Sequence, residues 1–245
     1  MKRILLPLLS SLILAACAVP STSPHGGGHI TTGKHASMLT LQDIGNEEEI
    51  AFEILKEGNI FEDYGISHTK EMHLIVVRED LMHFHHLHPE RDPEGVWKVP
   101  FNAPAGGNYR LYADFVESNQ SAHTIRFDRS YQGKKGESGI IKNFERVKTV
   151  DGYRIEIQPT VVEGTTSFTY VITDQQGQSP KLEEYLGALG HSVLISSSGD
   201  FIHTHPNEGT GMPVFETANL NEDFYRIFTQ FQIKGKVMTV EFDSE

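Results

Sequence analysis

The sequence has a single cysteine, Cys17, close to its start. The chain can therefore form no disulfide within itself, and the remainder offers no thiolate as a metal ligand or catalytic nucleophile. A metal ion would have to bind through imidazole, carboxylate, carbonyl or thioether groups. The His-Glu-x-x-His, Gly-x-Ser-x-Gly and phosphate-binding glycine motifs are also missing. We therefore do not expect an enzyme, and a metal-dependent hydrolase is the remaining catalytic alternative.

Basic residues are in the minority, with 21 Lys and Arg against 33 Asp and Glu and a formal net charge of -12. An acidic surface repels nucleic acid, so no nucleic-acid partner is expected. Long apolar runs are missing as well. Beyond the first residues, no run is long enough to predict a membrane-spanning helix.

Residues 1–16 have the pattern of a signal peptide. Lys2 and Arg3 precede a short apolar stretch that ends in Leu14-Ala15-Ala16-Cys17. This ending resembles the lipobox of bacterial lipoproteins, in which the signal is cleaved before a cysteine that then receives lipid. The resemblance implies lipidation of Cys17 and a membrane-anchored, periplasmic or extracytoplasmic protein. Ala18 favours the outer membrane if the source is Gram-negative. An ordinary signal peptide with an incidental cysteine is the alternative.

Residues 17–40 are predicted to be the lipid anchor and a flexible tether, because they are rich in Ser, Thr, Pro and Gly and poor in apolar residues. This segment contains His25, His29 and His35. It could bind copper or zinc loosely, or it could serve only as a spacer.

One pattern then occurs twice. The first copy has His73, then Phe84-His85-His86-Leu87-His88-Pro89 and Tyr109-Arg110. The second copy has His191, then Phe201-Ile202-His203-Thr204-His205-Pro206 and Tyr225-Arg226. The nearly equal spacings indicate two related domains, each with three histidines.

The fold class that this pattern favours is all-β. Short strands rich in β-branched and aromatic residues alternate with Gly, Asn and Pro turns, which predicts two tandem antiparallel β-sandwiches. Immunoglobulin-like and cupredoxin-like architectures both fit. We predict domain 1 at 41–127, a linker at 128–149 and domain 2 at 150–245. A short helix is predicted in domain 2, from Ser179-Pro180 to a stop at Gly190.

Strand geometry predicts a metal site in each domain. Alternate residues share a face, so His86 and His88 point the same way, and a turn at Glu79-Asp80 places His73 opposite His86. The same reasoning places His191 opposite His203, with His205 beside it. Three imidazoles suit copper or zinc and leave a coordination position open. Histidines packed in a sheet by ordinary hydrogen bonds are the alternative.

Two further groups are possible ligands in domain 1, His68 and Asp114. Gln230 occupies the position of Asp114 in domain 2, and an amide is a poorer ligand, so the first site is expected to bind more tightly. His83 and His85 should face away from the site. Arg110 and Arg226 are interpreted as framework residues that face outward or pair with carboxylates.

The segments around Met72-His73-Leu74-Ile75-Val76-Val77-Arg78, His86-Leu87-His88-Pro89, Tyr185 to His191 and His203-Thr204-His205-Pro206 resemble a family of uncharacterised bacterial secreted proteins and lipoproteins. That family has tandem β-domains with paired His-x-His-Pro motifs, sometimes associated with heavy-metal-binding modules. The resemblance covers about residues 45–245 and implies no catalytic residue. The expected function is metal buffering, sensing or hand-over. The alternative is a non-metal module that binds another envelope protein through loops such as 128–148.

Overall fold

The computed structural model describes residues 29–30, 39–134, 139–207 and 211–244. Cys17 and the signal peptide lie outside these residues. All regular elements in the described part of the chain are β-strands, arranged in four antiparallel sheets, which confirms the all-β prediction. The same residues contain no helix long and apolar enough to cross a membrane.

Domain 1 consists of two sheets packed face to face. One sheet has the order β2-β3-β8-β7, with β4 paired to β3, and the other has the order β10-β9-β5-β6. Its strands are β2 (Leu39–Asp43), β3 (Glu49–Lys56), β4 (Asn59–Ile60), β5 (His73–Arg78), β6 (His85–Leu87), β7 (Glu90–Arg91), β8 (Trp97–Pro100), β9 (Gly107–Val116) and β10 (Ala122–Tyr131). Large side chains such as Phe52, Trp97 and Tyr109 fill the core between the sheets.

Domain 2 repeats this arrangement. One sheet has the order β1-β15-β14-β17-β18 and the other has β11-β12-β13-β16. Its strands are β1 (His29–Ile30), β11 (Val147–Val150), β12 (Tyr153–Val162), β13 (Thr165–Thr173), β14 (His191–Ser196), β15 (Phe201–Thr204), β16 (Val214–Ala218), β17 (Tyr225–Ile233) and β18 (Lys236–Asp243). Strand β1 comes from the predicted tether and pairs with β15 at the sheet edge.

Two predicted boundaries are corrected by these strands. Strand β10 continues to Tyr131 and β11 begins at Val147, so the predicted linker at 128–149 overlaps both. Residues 128–130 resemble a loop because they are polar, but β10 is an edge strand of its sheet, where polar side chains reach solvent.

The predicted helix after Ser179 is wrong. Tyr185 and Ala188 instead exchange two backbone hydrogen bonds across a tight turn. Leu186, at the centre of this turn, has a φ of 53°, which an α-helix does not allow. The helical spacing of the leucines is therefore coincidental, and Leu189 is largely exposed.

Strands β5 and β14 show how the domains meet. In a sheet with one solvent-exposed face, buried residues alternate with more exposed ones along each strand, as in β13. In β5 and β14, by contrast, every residue is buried. Leu74 and Val76 belong to the domain 1 core, whereas Ile75 and Val77 pack against Val193 and other residues of domain 2. The histidine-bearing sheets of the two domains therefore face each other across an apolar interface.

The strand register differs from the prediction by two residues in both domains. His86 pairs with Ile75 rather than His73, and His203 pairs with Val193 rather than His191. A two-residue shift preserves which face a side chain occupies, so the histidines still share a face. The β5–β6 and β14–β15 hairpins begin with the same turn, but the domain 1 hairpin has one extra residue after it. This residue is His83, which has a φ of 55°. This residue explains the unequal spacing of the two copies.

Candidate metal centre

The predicted histidines form one cluster at the domain interface rather than two separate sites. His73 lies 5.4 Å from His203, and His86 lies 5.7 Å from His191, measured between ring centroids. We call the whole group the histidine cluster. It contains His68, His73, His86, His88, His191, His203 and His205.

The domain 1 triad converges as predicted from its strands. One ring nitrogen from each of His73, His86 and His88 lies within 4.8 Å of the others. The ring centroids of His86 and His88 are 4.8 Å apart, and that of His73 lies 5.0 Å from His88. A transition metal holds imidazole nitrogens at about 2.0–2.1 Å, so the three rings lie near the spacing that one ion requires.

The second convergent group differs from the predicted domain 2 triad. His191 and His205 converge with His68 of domain 1, and their nitrogens also lie within 4.8 Å of one another. The ring of His68 stacks on that of His205 at 3.4 Å between centroids. His68 was predicted as an extra ligand for domain 1, but the structure places it with domain 2.

His203 is not part of that group because its ring is held by an acid from the other domain. His203 Nδ1 donates to Asp114 Oδ2 at 2.9 Å. Asp114 was expected to add to the domain 1 site, and the structure instead directs it to a domain 2 histidine. Thr124 Oγ1 donates to the other oxygen of this carboxylate at 2.6 Å.

The equivalent residue of domain 2 makes the reciprocal contact. Gln230 Oε1 lies 2.9 Å from His86 Nδ1, which therefore donates to it, while the amide nitrogen of Gln230 lies 3.1 Å from Thr239 Oγ1. Each domain thus supplies the residue that orients a histidine of its neighbour. Sequence reasoning missed this exchange because both partners were assigned to their own domain.

Backbone carbonyls fix the tautomers of the two most buried rings. His73 Nε2 donates to Ser67 O at 3.0 Å, and His191 Nε2 donates to Tyr185 O at 2.8 Å. A carbonyl oxygen can only accept, so the remaining Nδ1 of each neutral ring carries a lone pair. Metal-binding histidines commonly use one ring N–H in this way to orient the other nitrogen.

Two of the inward nitrogens face each other without a proton to share. His73 Nδ1 lies 3.0 Å from His86 Nε2. With Gln230 Oε1 facing His86 Nδ1, both have a lone pair, since the other nitrogen of each ring then donates to an oxygen. A cation between them would satisfy both nitrogens.

Other cluster nitrogens are buried and have no hydrogen-bond partner among the described residues. Buried polar atoms are normally satisfied, so such a concentration requires an explanation. These nitrogens are His88 Nε2, His191 Nδ1, His203 Nε2 and His205 Nε2.

Burial keeps six rings of the cluster neutral. Desolvation lowers the pKa of His73 to about 3 and that of His68 and His88 to about 4, with a smaller contribution from His203 in each case. It also lowers the pKa of His86, His191 and His205 well below the ordinary value. Desolvation acts to raise the pKa of Asp114, but the hydrogen bonds from His203 and Thr124 and the nearby charges keep it below its usual range. Neutral imidazole is the form that binds metal.

Reciprocal contacts also hold the domains together around the cluster. Phe84 stacks on Phe228 at 4.3 Å, and Tyr112 stacks on Phe201 at 4.8 Å between ring centroids. These two pairs are equivalent under the repeat. The cluster is therefore bordered by a packed apolar surface that holds the two sheets in a fixed register.

The framework arginines make the same kind of exchange. Arg110 donates to Ser196 O and Ser197 O, in the hairpin turn of domain 2. Arg226 donates to Leu81 O in the corresponding turn of domain 1. Arg226 also forms a buried ion pair with Asp243, as expected for a framework residue.

Two neighbouring histidines stay outside the cluster. His85 contacts Phe101 edge-on at 5.2 Å, which places it toward the domain 1 core. His83 adopts a left-handed conformation in the hairpin. The side chain of His29 and the whole of His25 and His35 lie outside the described residues.

A family model described as a domain of unknown function, DUF8832, matches residues 31–133 and 148–245 in tandem. This chain belongs to the DUF8832 family. The two matched segments of this DUF8832 protein correspond closely to its two sandwiches. No curated protein matches the sequence.

Solved structures show only distant similarity to this DUF8832 chain. A two-domain fibronectin type-III segment of chicken tenascin is 9% identical, covers 84% of this chain and 97% of its own, and has a TM-score of 0.23. Fibronectin(III)-like modules of Clostridium thermocellum CbhA are 9% identical, cover 83% and 92% of the two chains, and also have a TM-score of 0.23. Scores this low carry no argument about function, and the sandwich assignment rests on the sheets themselves.

Proposed function

We propose that this protein binds a copper or zinc ion at the histidine cluster and buffers, senses or hands over that ion outside the cytoplasm. The observation that supports this most directly is the pair of lone-pair nitrogens, His73 Nδ1 and His86 Nε2, only 3.0 Å apart. His88 adds a third nitrogen within reach. An ion at this point would replace an unfavourable contact with two metal–nitrogen bonds.

The donor set limits the identity of the ion. Imidazole without thiolate suits zinc and copper, and copper(II) binds nitrogen sites most tightly among the common divalent ions. Magnesium and calcium prefer oxygen ligands, and the triad offers none from its side chains. The three rings would leave a position for water, for a small ligand or for a partner that receives the ion.

The proposed lipid anchor at Cys17 would place this site at a membrane surface. Its support is the sequence Leu14-Ala15-Ala16-Cys17. Metabolic labelling with a palmitate analogue tests it. Label in the wild type that is lost in Cys17→Ser is the expected result, and equal label in both proteins would contradict the anchor.

Metal analysis and thermal unfolding of the protein with Cu²⁺ or Zn²⁺ test the metal site. The comparison is between the wild type and a variant with His73, His86 and His88 all changed to Leu. We expect bound metal and stabilisation in the wild type, about 2.7 kcal/mol when free metal is 100 times the dissociation constant, and neither effect at the triad in the variant. His83→Leu is the matched control, since His83 lies outside the cluster.

The test also works if the triple variant does not fold. Electron paramagnetic resonance of the wild type with Cu²⁺ reports nitrogen ligands directly. Absence of nitrogen coupling, or no metal uptake by the folded wild type, would contradict the proposal.

A second candidate is a module that binds another envelope protein. The observation in its favour is the exposure of Ile141 and Phe144 between the two domains and of Val147 at the start of β11, where apolar side chains are in contact with water. A partner crosslinked through this segment, and retained after the histidine substitutions, would favour this function over metal binding.

A further inference from the structure

The histidine cluster offers a second group of nitrogens that the domain 1 triad does not use. We infer that the cluster binds two ions, and that the second is held across the interface by His68 of domain 1 with His191 and His205 of domain 2. This inference rests on the proposed function and specifies how many ions it involves and which domain supplies each ligand.

The second group meets the same distance limit as the first, although the His68 and His205 rings are stacked at 3.4 Å between centroids and would have to tilt to direct nitrogens at one ion. Its three nitrogens lie within the same 4.8 Å limit as those of the triad. The ring centroids of His191 and His205 are 4.6 Å apart, and His68 lies 5.4 Å from His191. No residue is shared between the two groups, so each has its own three ligands.

The second group also has buried nitrogens without a hydrogen-bond partner among the described residues. His191 donates through Nε2 to Tyr185 O, which leaves its buried Nδ1 unsatisfied. The Nε2 atom of His205 is buried and unsatisfied too. These are the same features that support an ion at the triad.

The repeat shows that His68 is an addition to the common framework. His73 and His191 each donate to a carbonyl six residues earlier, Ser67 O or Tyr185 O. The next residue is His68 in domain 1 and Leu186 in domain 2, and both adopt positive φ, 46° and 53°. The backbone therefore accepts either side chain, and only domain 1 supplies an imidazole.

Repulsion between the two cations weakens the binding of the second ion. Two divalent ions repel about four times as strongly as two monovalent ions at the same distance, and every ligand in both groups is a neutral imidazole. The partly buried carboxylate of Asp114 beside the cluster offsets part of this repulsion. We expect two binding steps for Zn²⁺, with the second ion bound more weakly than the first.

Equilibrium dialysis with Zn²⁺ counts the ions. The variants are His68→Leu, which copies Leu186, and His88→Leu, which removes a triad ligand. We expect two ions in the wild type, one in each single variant and none in the double variant. His83→Leu is the matched control, since His83 also has positive φ and should leave the count at two.

The outcomes separate this inference from the proposed function. One ion in the wild type, weakened by both single substitutions, would mean a single shared site and overturn the inference while leaving metal binding intact. An unchanged count and affinity in His68→Leu would also overturn it. No ion in the wild type would refute both. Thermal unfolding without metal verifies that each variant is folded.

Discussion

The two domains have the same sheets and equivalent histidines, but they differ in what each gives to its neighbour. Domain 1 provides a carboxylate, Asp114, to His203, whereas domain 2 provides an amide, Gln230, to His86. Domain 1 provides the imidazole of His68, where domain 2 has Leu186. The common framework holds the rings in place, and the differences lie in the charge and the ring that each half contributes to the cluster.

The largest expected effect is a loss of stability at low pH, which tests the neutral histidine rings that both domains share. His73 and His191 are each 1% exposed, and burial depresses the pKa of both. Below about pH 6.5 these two histidines are protonated in the unfolded chain but stay neutral in the folded protein. The free energy of unfolding therefore falls as the pH falls. From about pH 7.5 to about pH 5 the loss should be about 2 kcal/mol for each of these two rings, and other cluster rings add to it.

Urea unfolding of the metal-free protein at both pH values measures this loss. His191→Phe should show a smaller loss than the wild type, since one titrating ring has gone. Equal stability of the wild type at both pH values would mean that the rings are not held neutral.

The next effect separates the two framework arginines. Arg226 and Asp243 form a buried pair, and the same guanidinium donates to Leu81 O and Ile141 O. Removing one member of such a pair costs about 3–5 kcal/mol, so Arg226→Ala should be strongly destabilised. Arg110 is less buried and, among the residues that the structure describes, donates to two carbonyls, so Arg110→Ala should lose about 1–3 kcal/mol.

Chemical denaturation of the two variants under one set of conditions measures this difference. Equal losses would mean that the buried carboxylate of Asp243 contributes nothing beyond the hydrogen bonds to the opposite turn.

The smallest effect concerns the two orienting residues. Asp114 holds His203, which is a ligand of neither group, so its effect on bound metal comes from its negative charge within the cluster. Asp114→Asn removes that charge, so Zn²⁺ affinity should fall. Gln230→Glu makes the opposite change and should raise affinity.

Competition with a chelator of known affinity measures both variants. Equal shifts of the same sign would contradict the assigned roles, because the two substitutions change the charge of the cluster in opposite directions.

The sequence predicted the sheets well because alternation and the repeated His-x-His-Pro pattern are local features. Strand periodicity alone predicted that His73, His86 and His88 share a face. That prediction is correct even though the predicted register was wrong by two residues. The helix after Ser179 failed because a tertiary contact, the hydrogen bond from Glu183 N to Gln232 O, holds that segment extended near β17.

The interface could not be predicted in the same way. Uniform burial along β5 was visible as a run of apolar residues, but its meaning depends on the second domain. The pairing of Asp114 with His203 joins residues 89 positions apart on different sandwiches, and no spacing rule connects them. His68 could be recognised only as a nearby extra histidine, because its direction is set by the left-handed turn in which it lies.

Joining the two copies in one polypeptide has an evolutionary consequence. In a symmetric homodimer every substitution would appear on both sides of the axis, so an imidazole gained at one edge would be gained at the other. A tandem chain escapes this constraint, since each half mutates independently. The contrast between His68 and Leu186 is a difference that a symmetric homodimer could not have.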